Sequence, residues 1–283
     1  MNIFARKNCL ITGAASGIGR STAIAVGKLG AHLFLTDINQ ALLDETVDKI
    51  TADGGIVDLH QALDIADYES VRQFADIIHS RFGPMDMVMN IAGISTWGEI
   101  DRLTYEHWEK CINVDLWGPI HGIICFLPEM IRNGRGGRLV NVASAAGLVA
   151  FPWHVVYSAA KFGLVGVSEV LRYDLMKHNI GVTLVCPGAV ETPLKHSVEI
   201  VGVDRNHPRI KKFEAKFSKR AVSPDKVAQQ IISGVQKNKF LVFTSMDIRL
   251  LYWLKRKHHW VYNIIMKKAN RIASRVIGQA QKK

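Results

Sequence analysis

The chain has 283 residues, 48% hydrophobic and 22% charged, with a formal net charge of +11, which suits one globular domain with a sizeable core and excludes a disordered chain. Cys9, Cys111, Cys125 and Cys186 lie far apart with no CxxC or Cys/His cluster, excluding a zinc site or disulfide framework readable from spacing. The opening MNIFARKNCLITG lacks a signal-peptide core, and no uncharged apolar run reaches about 18 residues, so a cytoplasmic protein with reduced thiols and no membrane span is expected.

In chain order, short β-branched apolar runs alternate with longer amphipathic stretches. CLIT precedes a helix from about 17 to 29, and HLFLT precedes one from about 40 to 52. IVDLHQALD, a helix ending near Phe82, MDMVMN, a long helix over about 105 to 131, GRLVNVAS, a helix over 153 to 178 and GVTLVCP continue the pattern. A helix over 224 to 237 and the strand FLVFT close it. Nearly continuous apolar strands, each followed by a helix, predict a doubly wound parallel α/β sheet of Rossmann type with helices on both faces. Residues 1–245 would form the dinucleotide-binding and catalytic domain, and 246–283 a basic amphipathic helical extension.

Gly13, Gly17 and Gly19 follow the first strand and open the first helix in the spacing Gly-x3-Gly-x-Gly. Glycines there permit a tight turn, let backbone N–H groups approach a pyrophosphate and bring the helix N-terminus to the anion. Asp37 ends the second strand, where a carboxylate can accept hydrogen bonds from the adenosine ribose and repel a 2′-phosphate, favouring NAD over NADP.

Tyr157 and Lys161 stand one helical turn apart on one face, where they can meet the same ligand. A neighbouring ammonium is expected to favour the phenolate of a tyrosine that must shuttle protons near neutral pH. Ser144 closes a predicted strand, where its hydroxyl can meet a substrate oxygen or cap a turn. Asn113 lies within the long helix, where it can hold a relay water or bond to backbone.

Together these residues resemble the short-chain dehydrogenase/reductase family in its single-domain form. TGAASGIG (Thr12–Gly19) matches the cofactor turn, NIAG (Asn90–Gly93) the element after the fourth strand, and PGAVET (Pro187–Thr192) the segment beside the nicotinamide. Asn113, Ser144, Tyr157 and Lys161 match its catalytic tetrad, and the likeness runs over about residues 5 to 245. One departure is Ile91, where the family usually has a second asparagine.

The resemblance implies that Tyr157 is the general acid/base, Lys161 lowers its pKa and binds the nicotinamide ribose, and Ser144 orients the substrate oxygen. It implies that Asn113 holds the relay water. Ser16, Ile18, Ile38, Asn90, Ala92, Gly93, Pro187 and Gly188 would join the cofactor site, Asp64 and Ile65 would flank the adenine, and Val190 with Thr192 would hold the carboxamide. A dimer or tetramer built from the long helices is also implied. The activity implied is NAD(H)-dependent interconversion of an alcohol and a ketone, with a 3-oxoacyl reductase or a non-catalytic dinucleotide-binding scaffold as alternatives.

Leu148, Val149, Phe151, Trp153 and Val155 offer an apolar lining for a bulky hydrophobic substrate such as a hydroxysteroid, retinoid or lipid, with Ile94 and Trp97 as a further wall. Those loop residues can equally pack inward. Lys195, His196 and the run Arg209 to Lys212 could meet an acidic group. From residue 246 onward ten Lys/Arg face a single acid, Asp247, a net +9. On a helical wheel Val261, Tyr262, Ile265, Met266, Ala269, Ile272, Ala273, Val276 and Ile277 share one arc, with Lys267, Lys268, Arg271 and Arg275 opposite. That basic amphipathic helix suits peripheral contact with an anionic membrane, or docking on the enzyme or a second subunit. No recognised nucleic-acid fold accompanies the charge, so nucleic acid is not an expected partner.

Overall fold

The structure, a computed structural model, describes residues 2–192, 198–204, 206–218 and 221–277. Lys195 and His196, named above as acid-binding candidates, lie outside the described residues.

Seven strands form one parallel sheet: β1 (Asn8–Thr12), β2 (His32–Asp37), β3 (Ile56–Ala62), β4 (Met87–Asn90), β6 (Gly137–Val142), β7 (Ile180–Cys186) and β9 (Leu241–Phe243). Their order across the sheet is β3-β2-β1-β4-β6-β7-β9. Between β1 and β4 the winding reverses, and such a switch point opens a crevice at the carboxyl ends of the strands. Side chains alternate across the sheet. Cys9 and Ile11 join the core beneath α1 (Gly17–Gly27), α2 (Gln40–Ala52) and α8 (Pro224–Gln236), whereas Leu10 joins the core beneath α3 (Tyr68–Phe82), α5 (Gly118–Asn133) and α6 (Val155–Asp174).

The long helix expected over 105 to 131 runs from 105 to 133, but in three parts. α4 (Tyr105–Ile112) passes through a π-helical turn, Asn113–Trp117, into α5. Gly118 N–H reaches back five residues to the Asn113 carbonyl. Pro119 explains the widening, since it has no N–H to offer the carbonyl four residues earlier, that of Asp115. The stretch Tyr105–Asn133 is long and apolar enough to cross a membrane by length and composition. It serves here as a layer on the sheet: a Cβ on Gly118 would meet Ile65 Cδ1 at 2.5 Å, and one on Gly122 would meet Asn90 Oδ1 at 2.5 Å.

Two further departures shape the site. α6 begins at Val155 rather than 153, because Trp153 adopts φ +70°, outside helical backbone, and His154 is the N-cap. It ends at Asp174, followed by a 3-10 turn, Met176–His178, and left-handed Asn179. A two-stranded parallel sheet, β5 (Thr96–Trp97) with β8 (Glu199–Ile200), and α7 (Pro208–Ser218) lie beyond the main sheet. Helices α9 (Met246–Lys257) and α10 (His259–Ile277) complete the described chain.

Candidate active site

The glycine turn after β1 is built by close backbone approach. Gly13 has φ +72°, and a Cβ there would stand 2.8 Å from Ala92 Cα; one on Gly19 would stand 1.9 Å from the Gly13 carbonyl oxygen. Both positions therefore require glycine. Thr12 Oγ1 accepts hydrogen bonds from Ile91 N (3.0 Å) and Ala92 N (3.2 Å), tying the β4 loop to this turn. Ser16 is the N-cap of α1 yet makes no side-chain cap bond, so first-turn N–H groups beside Gly17 and Ile18 are left for another acceptor. Asp37 accepts from Ala15 N at 3.0 Å and Asn39 N at 3.1 Å, holding its carboxylate at the rim of the turn. A cavity of about 300 Å³ opens there, lined in part by Ala15, Ser16, Gly17 and Arg20. Ile38, next to Asp37 in the chain, is exposed. A cradle that any Cβ would fill, uncapped N–H donors and a carboxylate at the end of β2 fit a nicotinamide dinucleotide.

The other expected cofactor residues divide. Pro187 O accepts from Ala145 N at 2.7 Å, and Gly188 N donates to Thr244 Oγ1 at 3.1 Å, so this segment is braced against both the Ser144 loop and the end of β9. Val190 bridges Val222, and Thr192 is buried. Asp64 is exposed and caps its own turn by accepting from Ala66 N. The buried Ile65 packs on Gly118 while its carbonyl accepts from His121 Nδ1 at 2.9 Å. Asn90 is buried at the end of β4. Its amide turns inward, Nδ2 donating to Asn141 Oδ1 (2.9 Å) and Pro119 O (3.3 Å), and so locks β4 to β6 and to α5.

At the carboxyl end of β6, Ser144 starts a 3-10 turn and accepts from Ala146 N at 3.1 Å. Its hydroxyl also favours the ionised form of the Tyr157 phenol. Lys161 Nζ sits 5.7 Å from the Tyr157 ring centre and donates to Val142 O at 3.3 Å. Its other partner is a residue that sequence reading passed over: Asp115 Oδ1, at 3.0 Å, with the two side chains 3% and 0% exposed. Asp115 also accepts from Ile94 N (3.1 Å) and from the Cys111 thiol (3.3 Å).

The Asn113 side chain makes no direct hydrogen bond to Ser144, Tyr157 or Lys161. Residues two apart on a helix point to opposite sides, while Cys111 and Asp115, four apart, share a face. With Asp115 turned to Lys161, Asn113 is turned away. The sequence held one cue: Asp115 is a carboxylate inside an apolar helix whose Pro119 resets the phase.

This cluster also alters the electrostatics expected of Tyr157. Burial, first, and then the Asp115 charge push its phenol above the ordinary range, against the opposing pull of Lys161 and Ser144. Burial works against the Lys161 ammonium, but Asp115 and Tyr157 outweigh it and hold that pKa up. Burial likewise raises the Asp115 carboxyl, opposed by Lys161 and by its two other donors. Three donors around one carboxylate describe its ionised form, paired with a charged lysine.

Above Tyr157 stands an aromatic wall. His154 lies 4.3 Å from the Trp97 ring centre, 5.8 Å from Phe151 and 6.5 Å from Tyr157. Burial lowers the His154 pKa to about 4, so it is neutral near pH 7, with Nδ1 donating to Pro152 O at 2.7 Å. Leu148 and Val149 are not part of this wall; both are buried, Leu148 against Leu164 and Cys186.

Residues 7–200 match the short chain dehydrogenase family. The chain belongs to that family. This short-chain dehydrogenase is 33% identical over 258 residues to SadH of Mycobacterium tuberculosis, covering 90% of this chain and 92% of that one. It is 36% identical over 195 residues to trans-4-hydroxycyclohexanecarboxylate dehydrogenase of Sinomonas cyclohexanicum, covering 67% and 74%. Among solved structures, a short chain dehydrogenase/reductase of Burkholderia phymatum in complex with NAD superposes with a TM-score of 0.80 at 25% identity, over 91% of this chain and 95% of that one. As a short-chain dehydrogenase, the chain is an oxidoreductase that uses a nicotinamide dinucleotide.

Proposed function

We propose that this short-chain dehydrogenase interconverts a hydrophobic secondary alcohol and its ketone with NAD(H), using residues 1–245 for the chemistry and 246–283 as a cover and docking extension. The observation that carries this reading is Tyr157, with Ser144 and Lys161 around it, standing beneath the aromatic wall of Trp97, Phe151 and neutral His154. Asp37 at the rim of the glycine turn supports NAD over NADP, as does the NAD-bound relative, and one relative is named for dehydrogenating a hydroxycyclohexane acid. When bound, the cofactor supplies the carbon that takes or gives the hydride.

The chain's own residues handle the proton and the position. Tyr157, held protonated in the free protein, donates from Oη to a carbonyl oxygen in reduction and accepts an alcohol proton in the reverse direction. Ser144 Oγ orients that oxygen. Lys161, with two contacts fixed inside the protein, keeps one donor for a ribose hydroxyl. An uncharged aromatic wall favours a bulky apolar substrate. The test is cofactor reduction with a panel of hydrophobic secondary alcohols, NAD and NADP side by side. Turnover with NAD preference is expected, and Tyr157→Phe should lower it about 1,000-fold at similar NAD affinity. No turnover on any alcohol or ketone, or equal use of NADP, sinks the reading.

The extension supports a second element of the reading. One side of α10 docks on the enzyme: Tyr262 is buried, its hydroxyl accepting from Ala150 N at 3.0 Å, and Ala273 packs beside Trp153 and Ile200 near Val203 and Ile210. Leu250, Trp253, Trp260 and Ile264 remain exposed, Trp260 at 68% and Ile264 at 58%, beside exposed Arg249, Lys257, Lys267, Lys268 and Arg271. Basic residues mixed with tryptophan and leucine suit the headgroup layer of an anionic bilayer, from which a hydrophobic substrate can be taken. Cosedimentation with vesicles containing phosphatidylserine should fall at high salt and in the Trp260→Ser/Ile264→Ser variant; equal sedimentation of the two proteins removes the membrane from the account. Exposed Trp117, Ile124, Phe162 and Val170 on the long helices support a homo-oligomer, a dimer or tetramer.

A further inference from the structure

We propose that Asp115 is a positioning residue that fixes Lys161 and sets the pH at which the Tyr157–Lys161 unit releases its proton. This deepens the reading above and rests on Tyr157 as the proton carrier.

Three elements converge on the Asp115 carboxylate. It accepts from Lys161 of α6 at 3.0 Å, from Ile94 N of the loop after β4 at 3.1 Å, and from Cys111 of its own helix at 3.3 Å. The Cys111 thiol is pushed up by burial, first, and by Asp115, so it remains a protonated donor. Lys161 has three N–H donors, and Asp115 with Val142 O takes two of them, which fixes the direction of the third. The backbone is shaped around this pair as well. A Cβ on Gly93 would fall 2.6 Å from Asp115 Oδ1 and 3.2 Å from Lys161 Nζ, so the NIAG loop passes over the pair only with glycine there.

The charges that face Tyr157 are few. Ser144 from the β6 loop is uncharged, His154 at the start of α6 is neutral near pH 7, and the Cys111 and Cys186 thiols, from the long helix and β7, are held protonated by burial. Among the described residues Lys161 and Asp115 are the remaining charged groups, and they oppose each other at the phenol. Lys161 alone would stabilise the phenolate strongly; paired with Asp115 it does so weakly. Asp115 thus holds the lysine in place while moderating its field.

The substitution Asp115→Asn separates these two contributions, because an amide oxygen retains the acceptor for Lys161 and Ile94 N but not the charge. Removing a negative charge favours proton loss from the coupled unit, whichever member gives up the proton. The readout is the tyrosinate absorbance titration of the cofactor-free protein, with the Tyr157→Phe protein subtracted to remove the five other tyrosines among the six of the chain. The midpoint of the difference should fall by about one pH unit in D115N. The ascending limb of kcat/KM for alcohol oxidation should move down with it, with NAD affinity changed by less than about threefold. Asp115→Ser, smaller and also uncharged, is the second variant should the amide disturb folding, and its midpoint must fall as well. An unchanged midpoint in a variant that melts and binds NAD like the parent overturns the role of Asp115. Absence of turnover in the parent chain would instead overturn the proposed activity and leave the absorbance midpoint as a separate result.

Discussion

The two ends of the active-site cleft are built by different means. The cofactor end is made almost wholly of main chain, where Gly13, Gly19 and Ala92 approach so closely that side chains would collide, and Thr12 and Asp37 serve chiefly to hold N–H groups in place. The proposed substrate end is made of side chains brought from far apart. Tyr262 accepts from Ala150 N, Lys255 Nζ donates to Leu148 O at 2.7 Å and lies over the Phe162 ring, so the extension clasps the loop between Ser144 and Tyr157. Gly188 is part of the same clasp, since a Cβ there would meet Ser245 Oγ at 2.9 Å and Ile248 Cγ1 at 3.0 Å. The contrast teaches that the common cofactor is served by geometry that tolerates no substitution, whereas the substrate is served by contacts that can each be altered at modest cost.

Substitutions at the two ends test that contrast. At the cofactor end, Gly19→Ala drives a methyl to within 1.9 Å of the Gly13 carbonyl oxygen, backbone that cannot swing aside. A loss of about 3 kcal/mol in stability and the disappearance of NAD binding are expected, read by thermal melting and calorimetric titration. An alanine variant that melts and binds NAD normally would break the comparison. At the substrate end, Tyr262→Phe keeps the ring and deletes one hydrogen bond, worth about 1 kcal/mol. KM for the alcohol should rise about fivefold while the NAD dissociation constant stays put; movement of both together would show that the extension acts on the whole cleft rather than on the substrate loop.

Much of the cofactor end was legible in the sequence, because a glycine cluster between a strand and a helix states a backbone requirement directly. Tyr157 and Lys161 were legible for a similar reason, since spacing of four on a helix fixes a shared face. The surroundings of Asn113 were not legible, because phase along the long helix depends on the π turn at Asn113–Trp117, which is settled by packing against α6. The partners of the Asn90 amide were not legible, because a buried amide bonds wherever partners stand, here Asn141 and Pro119 O. For Leu148 and Val149 pocket lining and inward packing stayed open, because apolar loop residues look alike whether they face a ligand or a core.

By itself the sequence determined what depends on neighbours along the chain: the alternation of strand and helix, the positions where only glycine fits, and the pairing of Tyr157 with Lys161. Tertiary structure decided what depends on elements meeting across space. It brought Asp115 rather than Asn113 to Lys161, turned the expected depression of the Tyr157 pKa into an elevation, and laid Tyr262 on Ala150. The physical reason is that backbone conformation is set by local sterics, whereas a buried charge takes its properties from whatever the fold places within a few ångströms of it.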